Sequence, residues 1–167
     1  MSAVYGVVTA EVISADDPEM WGRVKVRYKN LPSDNEAYWA PVATMMTGDG
    51  RGTWYRPEVG DDVLVAFDQG DMNHPYVIGY LWNGRQRPPS SDNQLRLIHS
   101  VNGHKISLYD PDVAAGDTGY VKIEDAHGNS ITLQNAMISI QSVAVVQINA
   151  PSVIINGRIV APIPNPI

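Results

Sequence analysis

The sequence contains no cysteine, so it can have neither a disulfide framework nor a thiolate-held metal or iron–sulfur centre. Charged residues make up only 18% of the chain, below the roughly 25% usual in globular proteins. No apolar run approaches the ~18 residues needed to span a bilayer. The opening Met1-Ser2-Ala3-Val4-Tyr5-Gly6 has no basic n-region and no long apolar stretch, and does not read as a signal peptide. Basic residues are outnumbered 12 to 18, for a net charge of −6. Residues 1–92 alone carry 8 Lys and Arg against 13 Asp and Glu, a balance that disfavours binding to a phosphate backbone. Helical periodicity is also missing, since no window places apolar residues at i, i+3, i+4 and i+7. Nucleophile-elbow, His-Glu-x-x-His and P-loop patterns are absent too.

What remains points to an all-β chain. Short runs of Val, Ile, Tyr and Thr are punctuated by 14 glycines and 12 prolines. Residues 1–84 read as one domain with strands over 4–14, 21–29, 38–46, 62–68 and 75–82. In the second of these, Val24, Val26 and Tyr28 alternate with Arg23, Lys25, Arg27 and Lys29, giving a half-buried strand with a basic face. Five short antiparallel strands in this span fit a small barrel of the OB type. Residues 85–94 are rich in Pro, Ser, Asn and Gln and read as a linker.

After the linker the patterning changes. Gly103-His104-Lys105-Ile106-Ser107-Leu108 recurs 25 residues later as Gly128-Asn129-Ser130-Ile131-Thr132-Leu133. Apolar-x-apolar pairs march along 95–158: Ile106/Leu108, Val121/Ile123, Ile131/Leu133, Ile138/Ile140, Val146/Ile148 and Val153/Ile155. The last four pairs lie 7 or 8 residues apart, a period that suggests β-helical winding. Residues 131–157 hold no charge in 27 positions. One face of such a ribbon is dry and the other is polar. A ribbon of this kind cannot bury its dry face alone, and its open edges invite aggregation, so the sequence itself calls for assembly with identical chains. The twelve residues of those six pairs are the candidate interchain core. Prolines at 162, 164 and 166 cannot donate to a ladder, which sets off 159–167 as a separate apex.

An ordered series of fragments carries a family resemblance. It runs through Gly22-Arg23-Val24-Lys25-Val26, Trp39-Ala40-Pro41-Val42, the Gly48–Gly52 loop and Pro57-Glu58-Val59-Gly60-Asp61. It continues with Val63-Leu64-Val65-Ala66-Phe67, Gly70-Asp71, Pro75-Tyr76-Val77-Ile78-Gly79-Tyr80-Leu81-Trp82-Asn83-Gly84 and Pro88-Pro89. In this order the fragments resemble the VgrG-like OB domain of contractile-tail spikes, the phage baseplate assembly protein V family. The resemblance implies an OB barrel followed by an intertwined trimeric β-helix shaped as a triangular prism. It implies a homotrimeric central spike that attaches to a baseplate hub protein through its OB domain and touches the target membrane as it pierces. It further implies a place in a virion tail baseplate, or in a bacteriocin or other injection system. No hub domain precedes the OB fold and no lysozyme insert follows it, so both are expected as separate polypeptides. Blunt apices in this family take a separate PAAR-like tip protein, and Ile159, Pro162, Ile163, Pro164, Pro166 and Ile167 are the candidate contacts.

Neither catalysis nor a cofactor is expected. Asp61, Asp62, Asp68 and Asp71 sit where turns commonly place aspartate. Asp110, Asp112 and Asp117 match a calcium loop only loosely. No histidine follows His127, so the family's His-x-His iron site has no counterpart here. The competing function is a monomeric OB module that binds nucleic acid or saccharide, with Trp21, Trp39, Trp54 and Tyr28 as stacking platforms.

Overall fold

The structure is a computed structural model and describes residues 3–30, 37–112 and 116–160. The chain divides into two compact units, Met1–Pro88 and Pro89–Ile167.

The first unit is a curled antiparallel sheet. Its strands are β1 (Val7–Ser14), β2 (Arg23–Tyr28), β3 (Tyr38–Pro41), β6 (Asp62–Phe67) and β7 (Pro75–Leu81), in the order β3-β2-β1-β6-β7. A small hairpin, β4 (Thr47–Gly48) and β5 (Arg51–Gly52), occupies the glycine-rich loop. A bridge between Val42 and Val77 brings the two ends of the sheet together in an OB-like curl. Alternation puts Ala10, Val12, Val24, Val26, Ala40, Val63, Val65 and Val77 inside, all fully buried. Tyr28 closes one end of this core. It stacks on Tyr38, meets Phe67 edge-on and donates its hydroxyl to the Met72 carbonyl. Burial pushes the Tyr28 phenol well above its ordinary range.

The strand expected over 38–46 is shorter, because its ladder to β2 ends at the Arg23–Pro41 pair. Beyond it the chain turns to β7, where the Ala43 amide donates to the Val77 carbonyl.

The second unit is an antiparallel meander of five strands: β8 (Leu95–His99), β9 (Lys105–Tyr109), β10 (Tyr120–Glu124), β11 (Ser130–Gln134) and β12 (Met137–Gln141). Strand β8 lies outside the strands that the apolar pairs of the sequence mark. A two-residue turn, Asn135-Ala136, joins β11 to β12 with positive φ at both residues (41° and 61°). A separate small hairpin pairs β13 (Ile154–Ile155) with β14 (Arg158–Ile159) across Asn156-Gly157.

Candidate functional site

Register decides which side chains of the meander share a face. Ile98, Ile106, Ile123, Ile131 and Ile140 are successive cross-strand partners and form one row across all five strands. Leu108, Val121, Leu133 and Ile138 form a second row, which ends at Arg96 on β8. Eight of the twelve candidate core residues therefore stand side by side on one face, joined by Ile98, which the sequence reading did not include. The eight are 41–71% exposed. A face of this composition left this exposed among the described residues is the unusual feature of the unit.

Val146 and Ile148 lie in a segment that makes no ladder among the described residues. Val153 accepts the Val160 amide beside the terminal hairpin, and Ile155 is in β13. Ile159 is exposed on β14. Pro162, Ile163, Pro164, Pro166 and Ile167 lie outside the described residues.

The opposite face of the meander is mainly polar, with Leu95 and Leu97 of β8 as its aliphatic members. Glu124 takes ion pairs from both Lys122 and Lys105, and these hold its carboxyl below the ordinary value. Tyr109 and Tyr120 stack at 5.3 Å, and the Tyr109 hydroxyl donates to the Gln94 side chain. Ser107, the cross-strand partner of Lys122, is buried on this face.

The turns at one end of the meander are linked to one another. In the first, the Ser100 hydroxyl accepts the His104 amide at 3.0 Å. In the second, Asp125 accepts the Asn129 amide at 2.9 Å, and the Asn129 side chain is foremost in holding the Asp125 carboxyl at about 2. His104 Nδ1 in turn accepts the Ala126 amide, and Asn129 Oδ1 accepts the Val143 amide. Each turn thus supplies an acceptor to the next. These bonds explain the 25-residue repeat, because His104 and Asn129 occupy the same position in it.

In the first unit, Asp17 organises the turn before β2. Its carboxylate receives the amides of Glu19, Trp21 and Arg23 and both ends of the Arg23 guanidinium. The Arg23 guanidinium beside it holds the Asp17 carboxyl far below the usual range. That guanidinium also lies 4.7 Å from the Trp21 ring. The basic face of β2 is largely neutralised, with Arg23 on Asp17 and Glu19, Arg27 on Glu11 and Lys29 on Asp62.

The acidic side chains of the turns are each engaged separately. Asp61 accepts the Glu58 amide and a Gln86 side-chain donor, Asp62 takes Lys29, and Asp71 caps the turn through Asn73 and His74. Asp110 pairs with Arg96, and Asp117 accepts the Gly119 amide. Among the described residues, no three His, Asp or Glu side chains gather as a metal would need, and no helix is long and apolar enough to cross a membrane.

Residues 8–82 match the family described as the type VI secretion system/phage-baseplate injector OB domain. The type VI secretion system spike protein VgrG1a of Pseudomonas aeruginosa is 31% identical over 94 residues, covering 52% of this chain and 15% of that protein. VgrG4b of the same organism is 31% identical over 137 residues, covering 75% of this chain and 16% of that protein. The spike protein of Escherichia phage P2 is 24% identical over 140 residues, covering 83% of this chain and 64% of that protein. The chain thus spans about a sixth of these secretion-system proteins and just under two thirds of the phage protein.

Proposed function

The chain is a relative of the VgrG-like baseplate spike proteins, with residues 8–82 as its injector OB domain, and from that relation we propose that three copies form the central spike of a contractile injection machine. The observation that carries this reading is the bare apolar face of the second unit. Its two rows are too extensive to leave in water and too regular to be incidental. Three such sheets turned face-inward enclose a dry axis and leave the Glu124–Lys122 face outside.

The finer architecture in this reading is a triangular β-helix over residues 95–158, after an OB domain over 1–84 and a linker over 85–94. Two observations support the winding. The edge strand β12 holds no charged residue, whereas β8 at the other edge carries Arg96 and His99, and charge is the usual guard of a free edge. Residues 146–150 alternate as a strand should but form no ladder among the described residues. A neighbouring copy supplies the missing ladder. Seven strands stacked at ~4.8 Å make a needle roughly 30–40 Å long.

In this role the protein does no chemistry. It is a rigid closed body that joins a hub protein through the OB unit, carries a PAAR-like tip at residues 159–167 and crosses the target envelope when the sheath contracts. Its place is the tail baseplate of a virion or of a related injection system. Light scattering of the purified chain tests the core of the proposal. Three times 18.3 kDa is expected, and a folded monomer near 18 kDa refutes it.

A further inference from the structure

The first unit carries a second apolar surface that its own fold leaves bare. Trp21 and Trp54, 72% and 70% exposed, border a groove of about 760 Å3 that also includes Met46 and Tyr55. The groove is held in shape. The Trp54 ring rests on Gly22, 3.0 Å from where a Cβ would stand. Trp21 lies against a guanidinium fixed by Asp17 and Glu19. Arg51 and Arg56 also line the groove, and neither makes an ion pair among the described residues, unlike Arg23, Arg27 and Lys29 of the same unit.

A complementary surface lies on the outer side of β1, β6 and β7. Register places Val7, Ala66 and Tyr76 in one line, and Ile78 follows on β7. Val7, Tyr76 and Ile78 are all exposed. Asp68, which follows β6, is exposed and makes no ion pair among the described residues. The groove lies by the end of the sheet where Arg23 meets Pro41, and the patch lies by the end where Phe67 meets Pro75.

We propose that the Trp21–Trp54 groove of one copy receives the Val7–Tyr76–Ile78 patch of the next copy, with Arg51 and Arg56 facing Asp68. This contact rests on the three-copy assembly proposed above and assigns how its OB units meet. The two surfaces differ and carry opposite charge, which is what a heterologous contact requires, and a heterologous contact is the kind that closes a ring of three. The exposed parts of Trp21, Trp54 and Tyr55 offer roughly 300–500 Å2, about half of one partner's share of a standard interface. Once the second units are joined, each OB unit is tethered to the assembly through its own chain, so the contact forms at high effective concentration. A net charge of −6 argues against nucleic acid as the occupant.

Because the chain has no cysteine, thiols can be placed at will. Arg51→Cys and Asp68→Cys are made singly and together in the full chain, treated with a short bis-maleimide and run on a denaturing gel, with light scattering in parallel. The double variant is expected to give covalent dimers and closed trimers, and each single variant none. Linkage in either single variant means an isologous contact and overturns the proposal. A trimer by scattering in which the double variant does not link overturns it as well, while leaving the three-copy spike intact. A monomer by scattering overturns both.

Discussion

Ile140 and Ser139 are neighbours on β12 and point to opposite faces, which makes them a matched pair for testing the dry axis. In a lone chain Ile140 is 60% exposed, so Ile140→Lys costs that chain little. In a trimer the same change removes three isoleucines and buries three ammonium groups. Fully burying one isoleucine is worth about 1.5–3 kcal/mol, and roughly 60% of that remains to be gained on assembly, or about 3–5 kcal/mol for three chains. Three unpaired buried cations add several kcal/mol each. The combined penalty exceeds about 10 kcal/mol, or seven orders of magnitude in the assembly constant. Sedimentation or light scattering of Ile140→Lys should therefore show monomer or aggregate at any accessible concentration. Ser139→Lys, on the polar face with Lys122 in the same cross-strand row, should remain trimeric. Equal behaviour of the two variants, whether both assemble or both fail, would refute the assignment of faces.

Three further outcomes are expected. Ala136 sits at φ 61° where a left-handed turn favours glycine, so Ala136→Gly should stabilise the second unit by about 0.5–1 kcal/mol per chain in thermal or denaturant unfolding, and Gly157→Ala, at φ 75°, should cost a similar amount. His104→Asn should unfold within about 0.5 kcal/mol of the parent because Asn129 already accepts the neighbouring amide from the equivalent position, whereas His104→Leu should lose about 1 kcal/mol; equal losses would show that the link between turns contributes nothing. The Asp17 carboxyl is depressed by Arg23, so its stabilisation is complete above the ordinary carboxylate value near ~4 and is lost as pH falls through the lower folded value. Asp17→Asn should accordingly be less stable than the parent at pH 7, with the gap narrowing below about pH 4, and a gap that does not change with pH would contradict the pairing.

The elements legible in the sequence were those whose period matched their burial. Val24, Val26 and Tyr28 alternate and are buried, so β2 could be read directly. Ile106/Leu108, Val121/Ile123, Ile131/Leu133 and Ile138/Ile140 marked their strands because each pair repeats one parity between turn residues. Strand β8 escaped notice because Leu95 and Leu97 stand on the opposite parity from Ile98, which blurs the period, and because it follows directly on the proline-rich linker. The overlong reading of 38–46 had a related cause. Apolar composition continues to Met46, but a strand persists only while a neighbour supplies hydrogen bonds, and β2 supplies none past Pro41. The same rule explains why Val146 and Ile148 look like strand residues and form no strand in a single chain. The tryptophans of the first unit's groove could be singled out but not placed: Trp21 and Trp54 are 33 positions apart, and the seating of Trp54 on Gly22 brings them together.

The links between turns have a consequence for length. Residues 103–127 and the unit that begins at Gly128 are interchangeable in register: Ile106 and Ile131 fall in one row, Leu108 and Leu133 in the other, and His104 and Asn129 receive from the following turn alike. A gene duplication of this 25-residue module would add two strands, about 9–10 Å, without disturbing the parity of any residue before or after it. Reach in such a body is therefore digital, changed by whole modules, whereas an insertion of one residue within a strand would swap the wet and dry sides of everything beyond it until the next turn.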